Sequence, residues 1–176
     1  SKHFDSLKST FIGKNDNWNS FLLNLELETT TAILIESIEE YILLGFNGVF
    51  FDNLDNFGIH GKQTAQKNNL IAFIQQMKLQ YPHLLFIQNA GLEFIDFTYS
   101  FIEAVLVESV ASYFDFNSST YQLRIEEEFK SRLYQLNTIH NLYNVPILFV
   151  EYANTQNKYN AIQERLKPSK MPFFVG

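Results

Sequence analysis

Four short apolar runs each stop on an acid or an amide. Gly48-Val49-Phe50-Phe51 runs into Asp52, with Asp55 three residues on, and Leu84-Leu85-Phe86-Ile87 runs into Gln88-Asn89. Ala104-Val105-Leu106-Val107 runs into Glu108, and Ile147-Leu148-Phe149-Val150 into Glu151-Tyr152. If the runs are parallel strands, their C-terminal ends share one face, and polar groups there converge on a cleft. Asp52, Glu108 and Glu151 then form an acidic cluster joined by Asn89 and Asp55. Like charges held close push one carboxyl pKa up, leaving a protonated acid beside an ionised carboxylate. Glycoside hydrolysis needs that pair: one carboxyl protonates the leaving oxygen while the other attacks carbon or activates water. Trp18, Phe57, Tyr113, Phe114 and Tyr152 add flat faces on which sugar rings can stack.

Each residue has a plainer reading. A strand-end carboxylate also serves as a helix cap or a loop ion pair, and Asn89 suits the cap of a following short helix. Asp55 fits a solvated loop, and Trp18 fits a core filler. Three carboxylates at three strand ends speak against a purely structural account, because gathering like charges costs free energy. Asp52, Asp55 and Glu108 would also suit a hard cation, but no D-x-D-x-D loop is present. The four His residues lack metal spacing, and the Ser109–Ser118 region lacks a G-x-S-x-G elbow. No metal and no cofactor is expected.

The elements that must position these groups follow from periodicity. Six apolar runs, the four above with Thr10–Gly13 and Pro172–Val175, read as parallel strands buried on both faces. Helices are predicted over Thr29–Leu44, Thr64–Tyr81, Thr120–Tyr143 and Asn157–Leu166, with one turn near Leu92–Tyr99. Gly45 and Pro82 mark two of the helix ends. Strand–helix alternation implies βαβ units and a parallel sheet. No linker or low-complexity stretch interrupts it, so residues 1–176 are expected to form a single domain.

Composition narrows the function. There are 13 Lys and Arg against 19 Asp and Glu, a net charge of −6, which disfavours a nucleic-acid partner. No Cys is present, so disulfides, zinc ribbons and thiol catalysis drop out. No apolar run is long enough to span a bilayer. Charged residues make up 18% of the chain and aromatics 16%, led by 18 Phe and 9 Tyr. At 176 residues and six predicted strands, the chain falls short of a (β/α)8 barrel with its eight strands and about 250 residues.

The motifs in order are similar to a known family. Gly45-Phe46-Asn47-Gly48-Val49-Phe50-Phe51-Asp52-Asn53-Leu54-Asp55 resembles the G-F-D-G-V-F-L-D-x-x-D signature of the endo-α-1,4-polygalactosaminidases, glycoside hydrolase family 114. Asn89-Ala90-Gly91-Leu92-Glu93 looks like the family's N-x-G-x-E, Val107-Glu108-Ser109 its V-x-E-S segment, and Val150-Glu151-Tyr152-Ala153 its V-E-Y-A. Gly13-Lys14-Asn15-Asp16-Asn17-Trp18 is similar to a G-x-N-x-x-W stretch. The resemblance implies a (β/α)8 TIM barrel cleaving an α-1,4-linked amino-sugar polysaccharide, extracellular or periplasmic. It implies Asp52 and Glu108 as catalytic carboxylates, with Asn89, Glu151, Tyr152, Trp18, Asp55 and Tyr113 contacting substrate. Asn47 stands where the signature has Asp, and the family's first strands find no counterpart, so the barrel is expected to lack its first one or two βα units. Exposed sheet edges would then meet a missing N-terminal segment or a second chain. The other class left open is a non-catalytic carbohydrate-binding or degenerate barrel domain.

Overall fold

The structure, a computed structural model, describes residues 2–15 and 19–176. The chain divides into two compact units, one built from residues up to Phe86 with Gly91–Phe101, the other from Ile87–Ala90 with Ile102–Gly176.

In the first unit, helix α1 (Lys2–Leu7) leads into a hairpin of β1 (Phe11–Asn15) and β2 (Ser20–Leu23). The run near Thr10–Gly13 is therefore a strand, but an antiparallel one, pairing Asn15 with Ser20 and Phe11 with Leu23. The parallel expectation fails there because the partner strand follows within a few residues, a distance a hairpin can close and a parallel crossover cannot. Helix α2 (Glu28–Leu43) ends at Gly45, whose φ of 95° is open to glycine at no steric cost. Then come β3 (Gly48–Phe51), a short turn Leu54–Phe57, helix α3 (Lys67–Gln80) and the start of β4 (Leu85–Asn89). Leu70, Ile71, Phe73, Ile74 and Met77 of α3 are buried, at the i, i+3, i+4, i+7 spacing of one helix face. Strand β3 departs from the predicted two-sided burial, since Phe50 is 48% exposed and Gly48 lies open. The cause is position: β3 is an edge strand, with β4 as its one neighbour in the sheet among the described residues. The helix α4 (Ile95–Thr98), preceded by a 3₁₀ turn at Leu92–Phe94, completes the unit and packs on α3.

The second unit holds the parallel ladder. Ile87–Asn89 of β4 pairs with β5 (Ala104–Glu108), β5 with β8 (Ile147–Glu151), and β8 with β9 (Phe173–Val175), all parallel. Val105, Val107, Ile147 and Phe149 are buried, as a strand covered on both faces demands. Between β5 and the helix α5 (Glu126–Tyr143) lies a second hairpin, β6 (Ser112–Asp115) with β7 (Thr120–Leu123). The predicted helix over Thr120–Tyr143 loses its first six residues, four of them to β7. Thr120 and Tyr121 are good strand formers, and Tyr121 finds a cross-strand partner in Phe114. Helix α6 (Gln156–Leu166) is capped by Thr155, whose hydroxyl accepts the Lys158 N–H. Among the described residues no helix is long and apolar enough to cross a membrane.

Candidate active site

Three of the four polar strand ends share a backbone device. The residue after Asp52, after Asn89 and after Glu108 is left-handed: Asn53 at φ 58°, Ala90 at 53° and Ser109 at 56°. Asn tolerates this conformation, whereas Ala and Ser adopt it at a cost of roughly 1–2 kcal/mol. Each turn breaks the strand sharply just beyond its polar residue.

In the second unit the turn after β5 is braced from β8. Ser109 donates its N–H to the Val150 carbonyl at 2.9 Å, and Ala90 likewise to Leu106 at 2.8 Å, so the ladder runs one residue past each polar group. Glu151, the last residue of β8, is 0% exposed. Its carboxylate accepts the Val110 N–H at 2.6 Å, the Ala111 N–H at 2.8 Å, the Ser112 N–H at 2.9 Å and the Ser112 hydroxyl at 2.6 Å. Burial pushes the Glu151 carboxyl above the ordinary range, with these four donors pulling against it. All its acceptor capacity goes to the loop after Glu108, so the expected contact with sugar gives way to an anchoring role.

Strand alternation turns the next residue the other way. Tyr152 is half-buried and its hydroxyl donates to Glu108 Oε1 at 2.7 Å, while its ring stacks on Tyr121 at 5.1 Å between centroids. Glu108 is exposed at the end of β5, held but reachable. Asn89 is half-buried at the end of β4, opposite Leu106 in the parallel register. It is not the cap of the following short helix, since Gly91 holds that position and no side-chain bond is made there. Tyr113 is exposed, but the Arg124 guanidinium lies 5.5 Å from its ring centre, so one face is taken.

In the first unit, Asp52 is exposed and its Oδ1 accepts the N–H of Asn53 at 2.8 Å. It lies at a cavity of about 420 Å³ whose lining includes Leu22, Leu25, Phe51 and Phe57. Asp55 lies at a polar cavity of about 390 Å³ with Asn15, His60, Lys62 and Glu93. The loop between is held by its own backbone, with Gly58 bonded to Asp55, Gly61 to Gly58 and Gln63 to Asn56. Glu93 adds a brace by accepting the Ile59 N–H at 2.9 Å. Trp18 lies outside the described residues. Among the described residues no group of three or more His, Cys, Asp or Glu is arranged to hold a metal.

Sequence reasoning missed Ser112 and Tyr121 in the second unit. Tyr121 was legible only through the alternation Tyr121-Gln122-Leu123 after the turn at Asn117-Ser118-Ser119, which marks a hairpin. Ser112 carried no signal beyond its closeness to Glu108 in sequence.

The fold has solved relatives. The glycoside hydrolase domain of PelA from Pseudomonas aeruginosa is 24% identical with a TM-score of 0.81, covering 98% of this chain and 70% of that one. Aspergillus fumigatus Ega3, solved in complex with galactosamine, is 14% identical with a TM-score of 0.69, covering 96% of this chain and 65% of that one. These likenesses establish a shared α/β fold of the TIM-barrel type. No curated protein matches the chain. The family model of the glycoside-hydrolase family GH114 matches residues 1–172, and the chain, a glycosidase by that kinship, belongs to this family.

Proposed function

We propose that the chain hydrolyses an amino-sugar polysaccharide at internal α-1,4 bonds by a two-carboxylate mechanism, with Asp52 and Glu108 as the acting groups. The observation that carries this reading is Glu108, an exposed carboxylate at a strand end, held by the Tyr152 hydroxyl at 2.7 Å in a member of a glycoside-hydrolase family. In this reading Glu108 hands a proton to the leaving glycosidic oxygen as the C–O bond breaks and, where Asp52 has bonded to carbon, takes one back from the incoming water. Asp52 either attacks the anomeric carbon or itself takes the proton of the water that attacks it, its negative charge stabilising the oxocarbenium-like centre. Residues 1–176 act together as one glycoside-hydrolase domain.

Support for an amino sugar comes from two sides. Ega3 is bound to galactosamine in its solved structure. A net charge of −6 suits a polymer bearing free ammonium groups better than an anionic one. In this reading the chain acts in the extracellular space or periplasm, where such a polymer is met.

Release of reducing ends from deacetylated α-1,4-galactosaminan tests the reading. Asp52→Asn and Glu108→Gln are each expected to lower kcat at least about 10³-fold while polymer binding is kept. Unchanged turnover in either variant removes that residue from the mechanism. Equal, near-zero activity in all three proteins with binding kept turns the reading into a carbohydrate-binding domain.

A further inference from the structure

The hairpin of β6 and β7 carries a row of rings that the reaction itself does not require. Phe116 at its tip is 83% exposed, and Phe114 37%. The Phe116 and Phe114 ring centres are 5.1 Å apart, Phe114 and Tyr121 5.1 Å, and Tyr121 and Tyr152 5.1 Å. The row then ends on chemistry, because the Tyr152 hydroxyl sits on Glu108. Leaving a Phe in water forgoes roughly 1.5–3 kcal/mol of burial, and contiguous exposed apolar surface commonly marks a binding site.

The rim of the row is polar. Asp115 accepts the Asn117 N–H at 3.0 Å and the Ser118 hydroxyl at 2.7 Å. Asn154 donates to the Thr120 hydroxyl, and Lys158 to the Tyr121 carbonyl. Flat apolar faces bordered by hydrogen-bonding groups match a sugar ring, with its C–H faces and its edge of hydroxyls. The half-buried Asp115 beside them carries a carboxylate that suits an ammonium group. A protein partner would also fit exposed rings, but it would not account for the continuity with Glu108.

We infer that the β6–β7 hairpin, continued by Tyr152 after β8, is an extended subsite that stacks rings of an amino-sugar polymer away from the bond being cleaved, through Phe116, Phe114, Tyr121 and Tyr152, with Asp115 at its rim. The inference rests on the glycoside-hydrolase reading above and gives that site a direction for its chain. Such a subsite serves long substrates and leaves short ones unaided.

Kinetics of the whole chain on deacetylated α-1,4-galactosaminan and on its trisaccharide test the idea. Phe116→Ala and Phe114→Ala are each expected to raise KM for the polymer about fivefold, with the effect in KM rather than kcat. The trisaccharide is expected to show no comparable rise. Tyr134→Ala, on α5 and 76% exposed, is the control for loss of any surface ring. Phe116 contributes little buried surface, so its removal leaves folding intact, which the thermal midpoint checks. A polymer KM that moves no more for Phe116→Ala than for Tyr134→Ala overturns the inference, as does an equal rise for polymer and trisaccharide. If Glu108→Gln loses turnover while the hairpin variants change nothing, the subsite falls and the hydrolase reading stands. If Glu108→Gln turns over normally but Phe116→Ala weakens equilibrium binding of the polymer, the subsite stands and the reading of Glu108 falls.

Discussion

The turn after β3 and the turn after β5 solve one problem in two ways. Both follow a carboxylate and both pass through a left-handed residue, Asn53 in one and Ser109 in the other. Ser109 gives its N–H to the Val150 carbonyl of a neighbouring strand, and Glu151 binds the next three N–H groups. Asn53 gives its N–H to the side chain of Asp52 itself. The loop beyond Asp52 is closed mainly by local bonds, with Glu93 as an exposed brace. The lesson is that a carboxylate's neighbourhood in the sheet decides who holds its turn. Glu108 is positioned by other residues, whereas Asp52 takes part in building its own turn.

The contrast can be broken in order of size. Glu151→Gln is expected to cost about 3 kcal/mol, because an amide NH₂ would face donors and leave some of them buried without a partner. Urea unfolding measures it, and amide exchange at Val110, Ala111 and Ser112 is expected to speed up first. In the other turn, Gly61→Ala is expected to cost about 2 kcal/mol, since a Cβ there would lie 2.0 Å from the Asn56 carbonyl oxygen. Tyr152→Phe removes one bond to Glu108 and is expected to lower kcat about tenfold with little change in thermal midpoint. Asp52→Ala is expected to destabilise by about 1 kcal/mol more than Asp52→Asn, which keeps the acceptor for Asn53.

The smallest effect is in pH dependence, and it has two signs. Glu151 is raised by burial, so its stabilising share is full below the ordinary glutamate range and is lost as pH rises through its folded-state value. Asp115 is lowered, first by the Ser118 hydroxyl and then by the Asn117 N–H. Its share is present above the ordinary aspartate range and is lost as pH falls through its folded-state value. Thermal midpoints against pH are expected to show the penalty of Glu151→Gln shrinking as pH rises. Asp115→Asn is expected to show the opposite trend.

The parallel strands and long helices were legible because two-sided burial and helical period leave strong marks. Ala104–Glu108, Ile147–Glu151 and α3 stand close to where their apolar spacing placed them. The two hairpins were not legible in the same way. Phe11-Ile12-Gly13 looks like any buried run, and only its pairing with Ser20–Leu23 makes it antiparallel. Thr120–Leu123 reads as the start of a helix until Phe114 is seen across from Tyr121. At the site, the types and order of the polar residues were in the sequence, but their division of labour was not. Glu108 and Glu151 follow equally apolar runs, yet one is exposed and the other fully buried. That difference arises from four donors converging from the 110–112 segment, a tertiary fact that no local pattern carries.

The left-handed residues at Ala90 and Ser109 bear on the thermodynamics of recognition. Non-glycine residues lose free energy by taking that conformation, and here the loss falls on the folding reaction. In the proposed reading, an arriving sugar would meet backbone whose conformational entropy is already spent, and less of its binding free energy would go into ordering the protein. A chain that relaxed those turns would gain fold stability and, in the same reading, bind a sugar with a larger entropic penalty.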